Sequence, residues 1–138
     1  MSDPWSGARV LAIDPGRGKC GVAALDAEGR LLYKTIVPAA DLAGRVSQML
    51  GAAPEAAVII GAGTASRDLQ AALRAARPGL ALEVVAEQHS TERALERWRL
   101  VEPPRGWRHL LPRSLRFPPG PLDDFAAWIL AEDFLRGH

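Results

Sequence analysis

The sequence predicts an α/β fold built on a mixed five-stranded sheet with helices on both faces. Three observations predict it. Apolar runs at 10–14, 21–26 and 31–37 follow one another over connections too short for a crossover, so they form an antiparallel meander. Beyond them, stretches with helical and with strand periodicity alternate, and the later strands need crossovers that make them parallel to the first. No repeat and no linker divides the 138 residues, a length that suits one domain, 1–138, with a proper core.

Each element has its own signal. Val10 to Asp14 is apolar and ends on a carboxylate followed at once by Pro15 and Gly16, a buried strand with a turn at its tip. Gly21 to Asp26 is a second short run, and Asp26-Ala27-Glu28-Gly29-Arg30 is a turn with Gly29 suited to positive φ. Leu31 to Val37 carries aromatic and β-branched residues, as a third strand should. After Pro38, Asp41 to Leu50 places Leu42, Val46, Met49 and Leu50 on one helical face, and Gly51 ends the helix. Ala56 to Ile60 is a central strand, and the loop Gly61 to Ser66 leads into a helix from Arg67 to Ala76, with Thr64 or Ser66 as its cap. Leu82 to Val85 is the fifth strand. Ser90 or Thr91 caps a helix with Ala94, Leu95 and Trp98 on one face. Glu102 to Pro121 holds six prolines and two glycines and is expected to be irregular. Leu122 to Leu135 is the last helix, with Leu122, Phe125, Ala126, Ile129 and Leu130 as its apolar stripe.

Composition narrows the function classes. The net charge is only +1, so the whole chain is not a polycation made for nucleic acid. Its basic residues are nonetheless 15 Arg against 2 Lys, which suits planar contacts to phosphate and equally suits a GC-rich coding sequence. Cys20 is the single cysteine, so no disulfide forms within the chain, and it reads as a small buried apolar residue. His89, His109 and His138 lack metal-site spacing. No stretch has membrane-spanning length, and Met1-Ser2-Asp3-Pro4 is no basic signal region, so a soluble cytoplasmic protein is expected.

Three acidic positions fall at element ends. Asp14 closes the first strand, Glu87 lies just past the fifth, and Asp123 opens the last helix. Parallel strands end on one edge of the sheet, where ligands of open α/β sheets bind. A last helix crossing that edge would add Asp123. Grouped carboxylates repel one another without a cation, and Mg²⁺ or Mn²⁺ satisfies them through oxygen ligands. Each residue also has a plainer role: Asp14 in a turn, Glu87 in solvent, Asp123 and Asp124 as complements to a helix N-terminus.

Ala12-Ile13-Asp14-Pro15-Gly16, followed by Gly21-Val22-Ala23-Ala24-Leu25-Asp26, resembles the GIDxGxxxxGVAxxD opening of the YqgF/RuvX family. That family comprises nucleases related to RuvC that resemble Holliday-junction resolvases and act in pre-16S rRNA processing. Ala86-Glu87-Gln88-His89-Ser90-Thr91 is similar to the family's DERxST, and Asp123 with Ala126 and Ala127 to its last helix. The loop Ile60 to Asp68 is closer to the related domain of the Tex transcription-associated proteins. The resemblance covers most of the chain. It implies an RNase H-like fold and a catalytic, metal-binding trio of Asp14, Glu87 and Asp123, with Asp124 as an alternative ligand one register step away. It also implies cleavage that leaves 5′-phosphate and 3′-hydroxyl ends. The chain departs from the family at Ala86 and Gln88, where Asp and Arg flank the glutamate elsewhere.

Nucleic acid is the expected partner: RNA, or single-stranded or branched DNA. Between Arg93 and Arg116 there are seven arginines and two glutamates, with Trp98, Trp107 and Phe117 in or beside the run. Arg97, Arg105, Arg108, Arg113 and Arg116 supply charge for phosphates, and Trp107 a stacking surface, whereas Trp98 has core spacing. Arg17 and Lys19 stand beside Asp14 to meet the scissile or neighbouring phosphate. The expected activity is metal-dependent, in-line attack of water on phosphorus by a monomer or homodimer. The competing expectation is a non-catalytic RNA- or DNA-binding module. A sugar-kinase-like or actin-like phosphate loop ranks below both, because that architecture needs two such domains.

Overall fold

A computed structural model describes residues 3–63, 65–86, 90–101, 110, 112 and 121–137. Strand β1 (Val10–Asp14) pairs antiparallel with β2 (Lys19–Leu25), which pairs antiparallel with β3 (Leu31–Pro38). On its other side β1 pairs parallel with β4 (Ala57–Gly61), and β4 parallel with β5 (Leu82–Val85). The order β3-β2-β1-β4-β5, an antiparallel meander joined to two parallel strands, is the mixed five-stranded sheet that the sequence predicts.

Side-chain alternation along each strand sorts the core into two layers. Leu11, Ile13, Val22, Val58 and Ile60 face one way. Helices α1 (Leu42–Ala52) and α2 (Ser66–Ala76) cover them with Leu42, Val46, Met49, Leu69 and Leu73. Val10, Ala12, Ala23, Leu25 and Ile59 face the other way, under Ala127, Leu130 and Ala131 of α4 (Asp123–Leu135). Helix α3 (Ser90–Val101) lies outside α4, where its Ala94 and Trp98 meet Phe125, Ala126 and Ile129. Helix α4 is therefore buried on two sides. That explains why its apolar residues extend around the helix, to Ala127 and Ala131, beyond the single stripe read from the sequence. No helix among the described residues is long and apolar enough to cross a membrane.

Several expected boundaries move. Helix α1 runs through Gly51 to Ala52 instead of stopping at the glycine; Gly51 does not take the left-handed backbone of a helix-ending glycine, and Ala53 caps the helix instead. Helix α2 starts at Ser66 without a side-chain cap. The Ser66 hydroxyl, buried at 3% exposure, instead accepts a bond from Gln70 Nε2 at 2.9 Å. Thr64, the other expected cap, lies outside the described residues. Most of the proline-rich stretch 102–121 does too.

The turn after β2 is built by Asp26. Its Oδ1 accepts from the Glu28 and Arg30 amides at 3.0 and 2.9 Å, and its Oδ2 from Arg30 Nε at 2.9 Å. Gly29 supplies the left-handed backbone at φ +84°. These bonds, the Arg30 amide first, hold the Asp26 carboxyl below the usual range.

Candidate active site at the strand ends

Strands β1, β4 and β5 run the same way and finish level with one another, because Ile13 pairs with Ile60 and Ile60 with Val84. Asp14 closes β1 on this edge, half-buried. By alternation it belongs to the same face as Val10 and Ala12, the face that α4 covers.

Its cross-strand partner is Gly21. A Cβ built on Gly21 would overlap the carbonyl carbon and oxygen of Asp123 and would lie 2.7 Å from the Asp124 amide nitrogen. The first residue of α4 thus sits directly on the residue paired with Asp14. Partner Cα atoms in such a ladder are about 5 Å apart, so Asp14 and Asp123 share one end of one face. Burial raises the Asp123 carboxyl above its usual range; Lys19 opposes that rise and the neighbouring Asp124 adds to it. Beneath the pair, Cys20 is fully buried on the opposite face, with its thiol directed at the Gly16 carbonyl. Burial pushes that thiol up, against the Gly16 bond, and both Asp14 and Asp123 push it further, so Cys20 stays protonated.

Arg17 and Lys19 are exposed in and after the turn that follows Asp14. On the α2 side of the same edge, Gly16, Arg17, Ala39, Ala65 and Asp68 line a cleft of about 450 Å³. Asp124 points elsewhere. Its Oδ2 accepts from Lys34 Nζ at 2.7 Å and its Oδ1 from the Phe125 amide at 3.0 Å. Arg97 is engaged in helix packing: its guanidinium makes two bonds to Glu132, at 2.7 and 3.0 Å, and lies 4.5 Å from the Trp128 ring centroid. Arg93 makes the equivalent fork with Asp133 at 2.6 and 2.8 Å. Arg93 and Arg97, counted in the sequence as charge for phosphates, thus tie α3 to α4. Glu87, Arg105, Trp107, Arg108, Arg113 and Arg116 lie outside the described residues.

The donor chemistry fits a hard divalent cation. Mg²⁺ is commonly held by one or two carboxylates together with water and substrate phosphate, and Asp14 and Asp123 offer that number. Among the described residues no group of three or more His, Cys, Asp or Glu side chains could hold a metal ion.

The sequence alone does not point to two residues of this region. Gly21 falls within the opening motif, which does not mark it as the seat of α4. Lys34 belongs to no motif. One signal was available: the chain has two lysines among 17 basic residues, and both act on the first two residues of α4.

No family model matches the chain, and no curated protein matches it. Among solved structures it is similar to a ROK family transcriptional regulator, a homologue of the E. coli Mlc protein. The identity is 16% and the TM-score 0.41, over 69% of this chain and 31% of that one. The chain spans about a third of that regulator's length, and at this TM-score the likeness carries no functional inference.

Proposed function

We propose that this protein is a cytoplasmic, divalent-metal-dependent nuclease of the YqgF/RuvX kind, hydrolysing phosphodiester bonds of RNA or of branched or single-stranded DNA. The observation that supports this reading is that the Asp123 backbone rests on Gly21, the cross-strand partner of Asp14, on the strand edge where open α/β sheets bind ligands. A β-strand carboxylate and a helix-start carboxylate, more than a hundred residues apart, have no structural need of one another. The raised Asp123 carboxyl marks a place where a cation relieves an unfavourable charge.

Asp14 and Asp123 would hold Mg²⁺ or Mn²⁺, with Glu87 as a third ligand by resemblance. Such an ion neutralises charge developing on a phosphodiester and lowers the pKa of water. Arg17 and Lys19 are exposed beside the carboxylates and bind substrate phosphates. Lys19 also attracts Asp123, so it favours the ionised carboxylate that ligation requires. Cys20, kept protonated and buried, contributes bulk beneath the site and no charge.

The test is to incubate the protein with labelled single-stranded RNA, single-stranded DNA and a four-way junction, with Mn²⁺, Mg²⁺ or EDTA, beside Asp14→Asn. Cleavage that needs both metal and Asp14 supports the nuclease and names its substrate. Salt-sensitive binding without cleavage in every lane refutes it in favour of a binding module.

A further inference from the structure

The start of α4 presents two adjacent carboxylates, and the sequence offers no way to choose between them. Consecutive residues of a helix project about 100° apart, so at most one of them can turn toward Asp14. The sheet beneath resolves the choice. Gly21 sits under the Asp123 carbonyl, and the strand beyond it, β3, carries Lys34 opposite Ala23, on the face that α4 covers. The Lys34 ammonium lies 2.7 Å from Asp124 Oδ2 and 4.1 Å from the centroid of the Phe125 ring. It therefore grips two consecutive residues of the first turn of α4. The grip is sheltered: the Lys34 and Asp124 side chains are 23% and 15% exposed, and Phe125 is 4% exposed. Asp124 is anchored at its other oxygen by the Phe125 amide, so both of its oxygens are engaged. With Asp124 held toward β3 and the helix seated on Gly21, the rotation of α4 about its axis is fixed.

We propose that Lys34 is a positioning residue for the candidate metal site: by pinning Asp124 and Phe125 to β3 it fixes the rotation of α4 that presents Asp123 beside Asp14. The proposal rests on the nuclease reading, from which it takes the metal site, and it adds a residue that touches neither metal nor substrate. It gives Asp124 a holding role and Asp123 the ligating one.

The sign of one measurement separates this role from simple electrostatics. Removing a positive charge near a cation site strengthens cation binding if charge is all that changes. Removing a positioning residue weakens it, because groups that orient ligands are typically worth about 10–100-fold in metal affinity. Mn²⁺ binding to the purified protein, followed by loss of the free-ion electron paramagnetic resonance signal at fixed ionic strength, is the readout. The unsubstituted protein and Asp14→Asn test the nuclease reading. Lys34→Met and Lys34→Gln test the proposal, two neutral variants guarding against failure of either to fold. Lys34→Arg tests rescue, with circular dichroism confirming the fold of each. The expected result is binding that Asp14→Asn abolishes, that both neutral variants weaken about tenfold, and that Lys34→Arg restores. Unchanged or tighter binding in the folded neutral variants overturns the positioning role and leaves the nuclease reading standing. No Mn²⁺ binding by the unsubstituted protein overturns both.

Discussion

Gly21→Ala adds one methyl group and removes no functional group, yet it strikes the contact on which the site depends. The new Cβ would occupy the space of the Asp123 carbonyl and lie 2.7 Å from the Asp124 amide nitrogen, where ordinary contact begins at 3.4 Å. The nitrogen alone must retreat by 3.4 − 2.7 = 0.7 Å, and the carbonyl by more. The obstacle is helical backbone, which has no rotamer to change, so the whole start of α4 must lift from the sheet. Overpacking of this kind costs about 1–3 kcal/mol, and with a rigid neighbour the upper end applies. At roughly 3–5 °C per kcal/mol for a domain of this size, the Tm should fall by about 10 °C or more. Any metal-dependent cleavage, measured well below that Tm, should drop on the order of 100-fold, as expected when a reacting group is displaced by about 1 Å. Differential scanning fluorimetry and single-turnover cleavage read the two effects. Gly44→Ala is the control: this exposed residue of α1 has nothing near its Cβ, and the change should stabilise by about 0.5–1 kcal/mol. A Gly21→Ala protein with the original Tm and full activity would show that α4 does not depend on this seat.

Other outcomes follow from the same geometry. Asp123 has a raised carboxyl pKa, so the folded state binds more protons than the unfolded one as pH rises from about 3.8 through the folded value, and stability falls across that window. Asp123→Asn should therefore leave the metal-free protein at least as stable at pH 7 while abolishing Mn²⁺ binding; a clear loss of Tm would contradict the charge argument. Asp26 shifts the other way. Its contribution is complete above about 3.8 and is lost as pH falls through its lowered folded value, so Asp26→Asn should lower the Tm at pH 7 and flatten its decline in acid titration. Arg97→Leu, by leaving Glu132 without its forked partner, should cost about 1.5–3 kcal/mol in urea denaturation, and an unchanged midpoint would free Arg97 for the phosphate role read from the sequence.

The sequence by itself determined the elements and their order. The apolar runs of Val10 to Asp14 and of β4, the short connections of the meander and the proline and glycine breaks all act between near neighbours, and local sterics read them. It also put Asp14 on the strand-end edge, since parallel strands end together. Where the structure departs from it the reason is again local: Gly51 reads as a stop, yet it does not take the left-handed backbone that ends a helix at glycine, and α1 continues to Ala52. Tertiary structure alone decided what each charge is for. Lys34 and Asp124 meet across 90 residues, and Arg97 and Glu132 across 35, because α4 is clamped between the sheet and α3. How α4 presents its two adjacent aspartates depends on the rotation of one helix, and that rotation rests on a missing side chain at Gly21 and an ammonium on β3, neither of which leaves a periodic trace in the sequence.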